Sequence, residues 1–460
     1  MNGTGSDIVG LTSELCAFNT GVVAEDNPRF FARLAEELPL TLLRYPSGST
    51  YNGWVVPELW KAQEATIRRD GRILFDGLAH PLGVAAYSRP FVGELELEEI
   101  DAHLVSDPGL PSAYMFHCMW QYRPWEADWA LCMPHDLRRT LTPGRYQVRL
   151  RTSLGPGEMH VGVCEHPGET GQVVVLNAHT CHPGMANDDF AGVAVLVRLM
   201  QWLSGRRTRY TYRLVLGPEH LGTVFYLRDR TREELERMVC GVFLDMPGTD
   251  GPFKAASSFL GDQPVDRAMR CAAAACGARA VFTPWRKGAG NDETVWEAPG
   301  YEVPFVEVSR CLDLLDPFPE YHSSLDTAVR LNAANLAETY RILQSFVEVL
   351  ENDLVAHRLF TGLVCLSNPR YDLYAERPDP AVRKDLARDS EKWGYLLDCL
   401  PRYCDGKTTV CEIALRHELP FPDLLAYLRR FEAKGLVRTA FAPVRRPPIS
   451  RPCNDAEATP

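Results

Sequence analysis

Between residues 145 and 350 the chain alternates two patterns of apolar and polar positions. Short runs of β-branched and apolar residues, YQVRLRTSL, MHVGVCEH, VVVLNA, YTYRLVLG, VCGVFLDM, ARAVFT and VPFVEV, read as strands. Stretches at 192–203, 221–227, 264–275 and 332–350 carry apolar residues every three to four positions and read as helices. Alternation of this kind builds a mixed, mostly parallel sheet with helices on both faces, so this part is α/β. Upstream, residues 6–43 repeat apolar positions at helical spacing, with Leu34, Leu38, Leu42 and Leu43 among them, and predict one or two helices that Pro46, Ser47 and Gly48 end.

The pattern changes across 51–149, where segments rich in Val, Tyr, Trp and Phe (53–56, 65–67 and 84–87) are cut by Pro57, Asp70-Gly71, Pro81 and Pro90. This is a β-rich block with one helix, 95–104, and its Tyr114, Trp120, Tyr122, Trp125 and Trp129 form either a packed core or a wall over a ligand, the core reading being favoured because large aromatics dominate core burial. Past residue 350, a Pro-rich stretch at 366–380 reads as an extended linker. Helices at 394–404, 410–418 and 422–434, then Gly435 and the strand LVRTAF, follow in winged-helix order, and the end of the chain is expected to be disordered. The domain layout expected is therefore 1–45 with 150–360 as one α/β unit, 46–149 as an inserted β-rich domain, 361–390 as linker, 391–445 as winged helix and 446–460 as tail.

Composition narrows the function. With 460 residues, 45% hydrophobic and 24% charged, the chain can bury a large core in two to four domains. A formal net charge of -11 argues against a general nucleic-acid or acidic-membrane binder. Residues 407–438 hold six Lys or Arg against four Asp or Glu, which favours a packing, oligomerising or partner-docking role over DNA reading and leaves a homo-oligomer open. No basic-then-apolar leader opens the chain and about 18 apolar residues never run together, so a soluble, cytoplasmic protein is expected. The 14 cysteines include no C-x-x-C pair and fit reduced, buried thiols.

Chemistry gathers at strand ends. VVVLNA runs into His179, Cys181, His182, Asp188 and Asp189; YTYRLVLG into Glu219 and His220; VCGVFL into Asp245; and a polar turn carries His322 with Asp326 four residues on. Helix or turn capping accounts for one such ending, not for four. Ligands in open α/β sheets sit outside the carboxyl ends of strands, where these residues fall.

These segments resemble the co-catalytic zinc exopeptidases of the M28 aminopeptidase class. The resemblance rests on a strand ending in His179 or His182, then Asn187-Asp188-Asp189-Phe190-Ala191-Gly192, Glu219-His220-Leu221-Gly222, Leu244-Asp245-Met246, Asn291-Asp292-Glu293 and His322-Ser323-Ser324-Leu325-Asp326. Cys181-His182-Pro183 and Glu320-Tyr321-His322 add a likeness, over nearly the whole chain, to bacterial aminopeptidase-like proteins (DUF4910/DUF2172 type) with an inserted β domain and a C-terminal winged helix.

The resemblance implies a zinc exopeptidase fold and one or two zinc ions per chain. Asp188 would bridge two ions, Asp245 and a first-strand histidine would complete one, His220 and His322 the other, and Glu219 would be the general base. His220 stands where the family has a second Glu; it can still ligate but removes one negative charge, so a weakened second ion or a one-ion site is the alternative to two. Alignment on the strand favours His179, and the Cys-His-Pro segment favours His182. Asp292, which with Glu293 follows the Gly288-Ala289-Gly290 turn that could bring both over the metals, would hold a substrate ammonium. Arg310 and Tyr321 are substrate-binding candidates, for a substrate carboxylate or an oxyanion, only because they flank the His322 turn. The activity implied is hydrolysis of a small peptide or amide; a zinc acyltransferase of glutaminyl-cyclase type and a non-catalytic binding or regulatory protein are the alternatives.

Overall fold

The computed structural model describes residues 2–126, 128–311, 317–374 and 384–451. Its centre is an eight-stranded mixed sheet. In chain order the strands are β1 (Thr41–Pro46), β2 (Glu158–His166), β3 (Val173–His179), β4 (Thr211–Gly217), β5 (Met238–Leu244), β6 (Phe253–Ala256), β7 (Ala280–Thr283) and β8 (Phe305–Ser309); in space they run β1-β2-β4-β3-β5-β8-β6-β7. The four central strands β4, β3, β5 and β8 are parallel, while β1, β2 and β6 pair antiparallel with their inner neighbours.

The apolar run of β3 explains why it lies in the middle. Val174, Leu176 and Ala178 enter one apolar layer, together with the helices α1 (Asn2–Leu15), α2 (Ala191–Ser204), α4 (Pro264–Ala275) and α5 (Ala333–Asn352). Val173 and Val175 point the other way, into a layer shared with α3 (Leu221–Arg228). Every residue of β3 is buried, as a strand covered on both faces requires. Burying one such Val or Leu contributes about 1.5–3 kcal/mol. Leu42 and Leu43, expected in a helix, lie in β1; the helices of this region are α1 and Asn27–Ala35.

The insert forms its own four-stranded antiparallel sheet from Arg72–Asp76, Leu59–Arg69, Arg145–Gly155 and Phe91–Glu96, in that spatial order. The run YQVRLRTSL, grouped above with the α/β alternation, thus pairs along Leu59–Arg69 instead. Its alternating buried and exposed residues fit a sheet packed on one face only. The helix expected at 95–104 shortens to Leu97–Asp101, because its first residues complete the strand Phe91–Glu96.

Leu354–Arg358, not anticipated as a strand, is the centre of a C-terminal three-stranded antiparallel sheet, between Asp405–Thr409 and Val437–Phe441. The helices Lys384–Tyr403, Val410–His417 and Phe421–Ala433 accompany it. Leu396, Leu424 and Phe431 join the apolar layer of α4 and α5, and Cys271 of α4 lies 2.9 Å, sulfur to sulfur, from Cys411. The expected tail is tied down as far as it is described: Arg446 donates to the carbonyls of Leu235, Met238 and Tyr301, and Ser450 bonds Glu302. Of the expected linker, Leu373 is buried and its carbonyl accepts from Tyr427; residues 375–383 and 452–460 lie outside the described ones. No helix among the described residues is long and apolar enough to cross a membrane.

Candidate functional site

Four neighbouring strands deliver their carboxyl ends to one place. His179 is the last residue of β3, and His182 follows in the loop. Asp188 lies in the turn Ala186–Phe190 that leads into α2, Glu219 sits two residues past β4, Asp245 directly follows β5, and His322 is in a turn beyond β8. Asp188 is the hub: its Oδ1 is 3.0 Å from His179 Nε2 and 3.0 Å from His182 Nδ1, and its Oδ2 is 3.2 Å from His322 Nε2. Asp245 Oδ1 is 3.4 Å from His179 Nε2, and Glu219 Oε2 is 3.7 Å from His182 Nε2.

Neighbouring groups hold this hub in place. Asp326 accepts from the backbone N–H groups of Asn187 and Asp188, at 2.8 and 3.0 Å. Asp189 accepts from Gly192, Met246 and His179 backbone N–H groups and so ties the ends of β3 and β5 to the turn. A Cβ on Gly192 would lie 2.2 Å from Asp189 Oδ1, which is why the motif needs glycine there.

The electrostatics follow from burial and proximity. Burial opposes a charge on Asp188, but the imidazoles of His182, His179 and His322 overcome it and hold the carboxyl well below the usual range. Burial likewise opposes charge on His182, and the Asp188 carboxylate outweighs it, raising the pKa to about 9. His179 is raised in the same sense by Asp188 and Asp245, against burial. Burial, with Asp245 beside it, pushes Asp189 up, consistent with a bracing role.

These donors suit a metal. His179 Nε2, His182 Nε2, Asp188 Oδ2, Asp245 Oδ1 and His322 Nε2 are all buried atoms without a hydrogen-bond partner, although most lie within ion-pair range of one another. Atoms that converge without aligning for hydrogen bonds are arranged as ligands are. Their donor atoms form the overlapping groups His179/Asp188/Asp245, His182/Asp188/His322 and His179/Cys181/His182, each within 4.8 Å. His179 and His182 thus both flank Asp188, one on each side of the alternative left open above. Side-chain exposures of 23% at His322 and 24% at Glu219, against 1–3% for His179, His182 and Asp245, put the solvent-reached side of the cluster at the first two.

Residues 10–353 match the family described as a domain of unknown function, DUF4910. The chain belongs to that family. A Clostridium acetobutylicum protein, named for polysaccharide biosynthesis and an aminopeptidase-like domain, is 26% identical to this DUF4910 chain over 355 residues, 76% of this chain and 79% of its own. A solved structure from the same species, named as a peptidase, covers 95% of this chain and 97% of that one, with a TM-score of 0.78 and 22% identity. A zinc aminopeptidase from Bacillus subtilis covers 75% and 94%, with a TM-score of 0.58 and 14% identity, and an M28 peptidase precursor from Shewanella amazonensis covers 75% and 92%, with 0.53 and 16%. At these identities the structural likeness establishes a shared aminopeptidase fold.

Within the DUF4910 chain, several expected site residues lie outside the three donor groups, although His220 Nε2 is likewise a buried atom without a hydrogen-bond partner. His220 is outside the three donor groups; its ring meets Trp54 edge-on at 5.9 Å, and its backbone N–H donates to Asp292. Asp292 accepts from that N–H and from the Thr223 hydroxyl, contacts that brace the start of α3. Glu293 is buried, accepts from the Asn291 N–H at 2.6 Å and is raised to about 8 by burial and by Glu307. Arg310 does not reach the cluster: its guanidinium is buried against Thr339, the Gly251 carbonyl and Glu338. Tyr321 does reach it, stacked on His322 with centroids 3.9 Å apart.

Two aromatic residues of the insert complete the site. Phe116 packs edge-on against His182 and His322, at 5.1 and 5.5 Å, and its N–H donates to the His322 carbonyl. Tyr122, read from sequence as core, donates its hydroxyl to Glu219 Oε2 at 3.2 Å. The advance signal is the Trp and Tyr cluster of this segment, for which a wall over a ligand is the less favoured alternative to core.

Proposed function

We propose that the protein is a zinc-dependent hydrolase of a small peptide or amide, of aminopeptidase or amidohydrolase type. The observation that carries this reading is the convergence of three imidazoles and two carboxylates on the Asp188 hub with Glu219 beside them. His179, Asp188 and Asp245 would hold one ion, and His182, Asp188 and His322 a second. When bound, the ions supply Lewis acidity that polarises a carbonyl and acidifies water. The chain supplies the remainder. In the metal-free protein burial opposes ionisation of Glu219, and the charge of His182, His179 and His220 overcomes it. With zinc bound, the cations would supply that positive field, so the carboxylate would stay ionised and could take the proton of an attacking water. The same carboxyl, protonated in that step, can give the proton to the leaving amine as general acid. Phe116 and Tyr321 both pack against the His322 ring, with centroids 5.5 and 3.9 Å away.

The test is a screen of aminoacyl and γ-glutamyl 4-nitroanilides with the zinc-loaded protein, before and after 1,10-phenanthroline. Turnover that chelator abolishes and zinc restores is expected; turnover indifferent to chelation removes the reading.

Zinc uptake should also depend on pH. A ligand imidazole must be neutral, whereas His182 in the metal-free protein stays protonated up to about pH 9. His179, raised well above the usual imidazole value by Asp188 and Asp245, must lose its proton as well, so affinity is expected to rise at least about tenfold per pH unit from pH 6 to 8. Competition with a chromogenic chelator across that range measures it; a flat profile contradicts a protonated His182.

A further inference from the structure

The insert brings a hydroxyl to the proposed base, and the bonds around that hydroxyl close a circuit. Tyr122 ends the short helix Met119–Tyr122, and its hydroxyl lies 3.2 Å from Glu219 Oε2 and 3.2 Å from Cys181 Sγ. The Glu219 backbone N–H in turn donates to Cys181 Sγ at 3.4 Å. The phenol has one proton, and an ionised carboxylate can only accept, so that proton goes to Glu219. The Cys181 S–H is left to donate to the phenol oxygen, and its sulfur accepts from Glu219. Each group gives one hydrogen and takes one.

The same segment is fastened to the far side of the cluster. Phe116 N–H donates to the His322 carbonyl at 2.8 Å, Met115 pairs with Ser323, and Tyr114 and Ser324 exchange two further bonds, Ser324 N–H to the Tyr114 carbonyl at 2.9 Å and Tyr114 N–H to Ser324 Oγ at 3.0 Å. One stretch of nine residues, 114–122, therefore touches both the His322 turn and Glu219. Burial, with Cys181 and Glu219 adding to it, keeps the phenol protonated and hence a donor.

We propose that Tyr122 is a positioning residue for Glu219, through which the inserted domain completes the active site. Its hydrogen bond fixes the carboxylate rotamer beside His182 by occupying Oε2, and leaves Oε1 to take the proton from water. Cys181 acts one bond further out, orienting the phenol. The proposal rests on the reading of Glu219 as the base.

Tyr122→Phe keeps the ring and its packing and removes only the hydroxyl; Cys181→Ala is the second variant. Both are compared with wild type and with Glu219→Gln on the 4-nitroanilide that the zinc-loaded protein turns over best, with zinc per chain, melting temperature, kcat and KM measured for each. Tyr122→Phe is expected to keep its zinc, its melting temperature and KM within about twofold while kcat falls about 10- to 100-fold, with a smaller fall for Cys181→Ala. A Tyr122→Phe protein with wild-type kcat, or one whose loss lies in KM or zinc content, overturns the positioning role. If Glu219→Gln is inactive while Tyr122→Phe is unaffected, only the role of Tyr122 falls; if Glu219→Gln also keeps full turnover, the assignment of the base falls with it.

Discussion

Asn in place of Asp188 is expected to empty the centre of metal and to lower turnover at least about 10³-fold. Asp188 is buried, and its two oxygens approach three histidines at 3.0 to 3.2 Å. No other carboxylate among the described residues joins both His179/Asp188/Asp245 and His182/Asp188/His322. Asn is nearly the same size and keeps one oxygen, so the fold around Asp326 and Asp189 should survive. It lacks the negative charge that offsets two cations and the second oxygen that a bridge requires. Elemental analysis and turnover on the same preparation check this; zinc content and rate both at wild-type values would show that Asp188 is not a ligand.

Gln in place of Glu219 is expected to separate chemistry from metal binding: zinc per chain unchanged, KM little changed, and kcat lower by about 10²- to 10⁴-fold. A Gln carbonyl can still accept the Tyr122 hydroxyl bond that Glu219 Oε2 receives, so the local packing has no reason to change. It cannot carry a proton from water to amine. The contrast with Asp188→Asn is informative, since one variant should lose metal and rate together and the other rate alone. Full activity in Glu219→Gln would exclude this residue as the base.

What could be read from the chain was local. The strand VVVLNAH ends where its β-branched run ends, and the polar residues after it have no apolar face to join, so their place at the carboxyl end of a parallel strand follows from periodicity and composition. The same holds for Glu219 and Asp245, each within two residues of a buried strand. Contacts between distant segments leave no such trace. Tyr122 meets Glu219 across 97 residues, and nothing in WQYRPW separates a core tyrosine from one bonded to the base. Asp292 and His220 matched the family motif by position, yet their hydrogen bond turns Asp292 toward the start of α3. LVAHR was missed because only three of its five residues are apolar and its strand partners begin about 50 residues later.

Zinc-edge anomalous diffraction from crystals of the zinc-loaded protein tests the central claim most directly. Two peaks are expected, one among His179, Asp188 and Asp245 and one among His182, Asp188 and His322. Peaks elsewhere, or none at Asp188, would contradict a metal centre assembled from the ends of these strands.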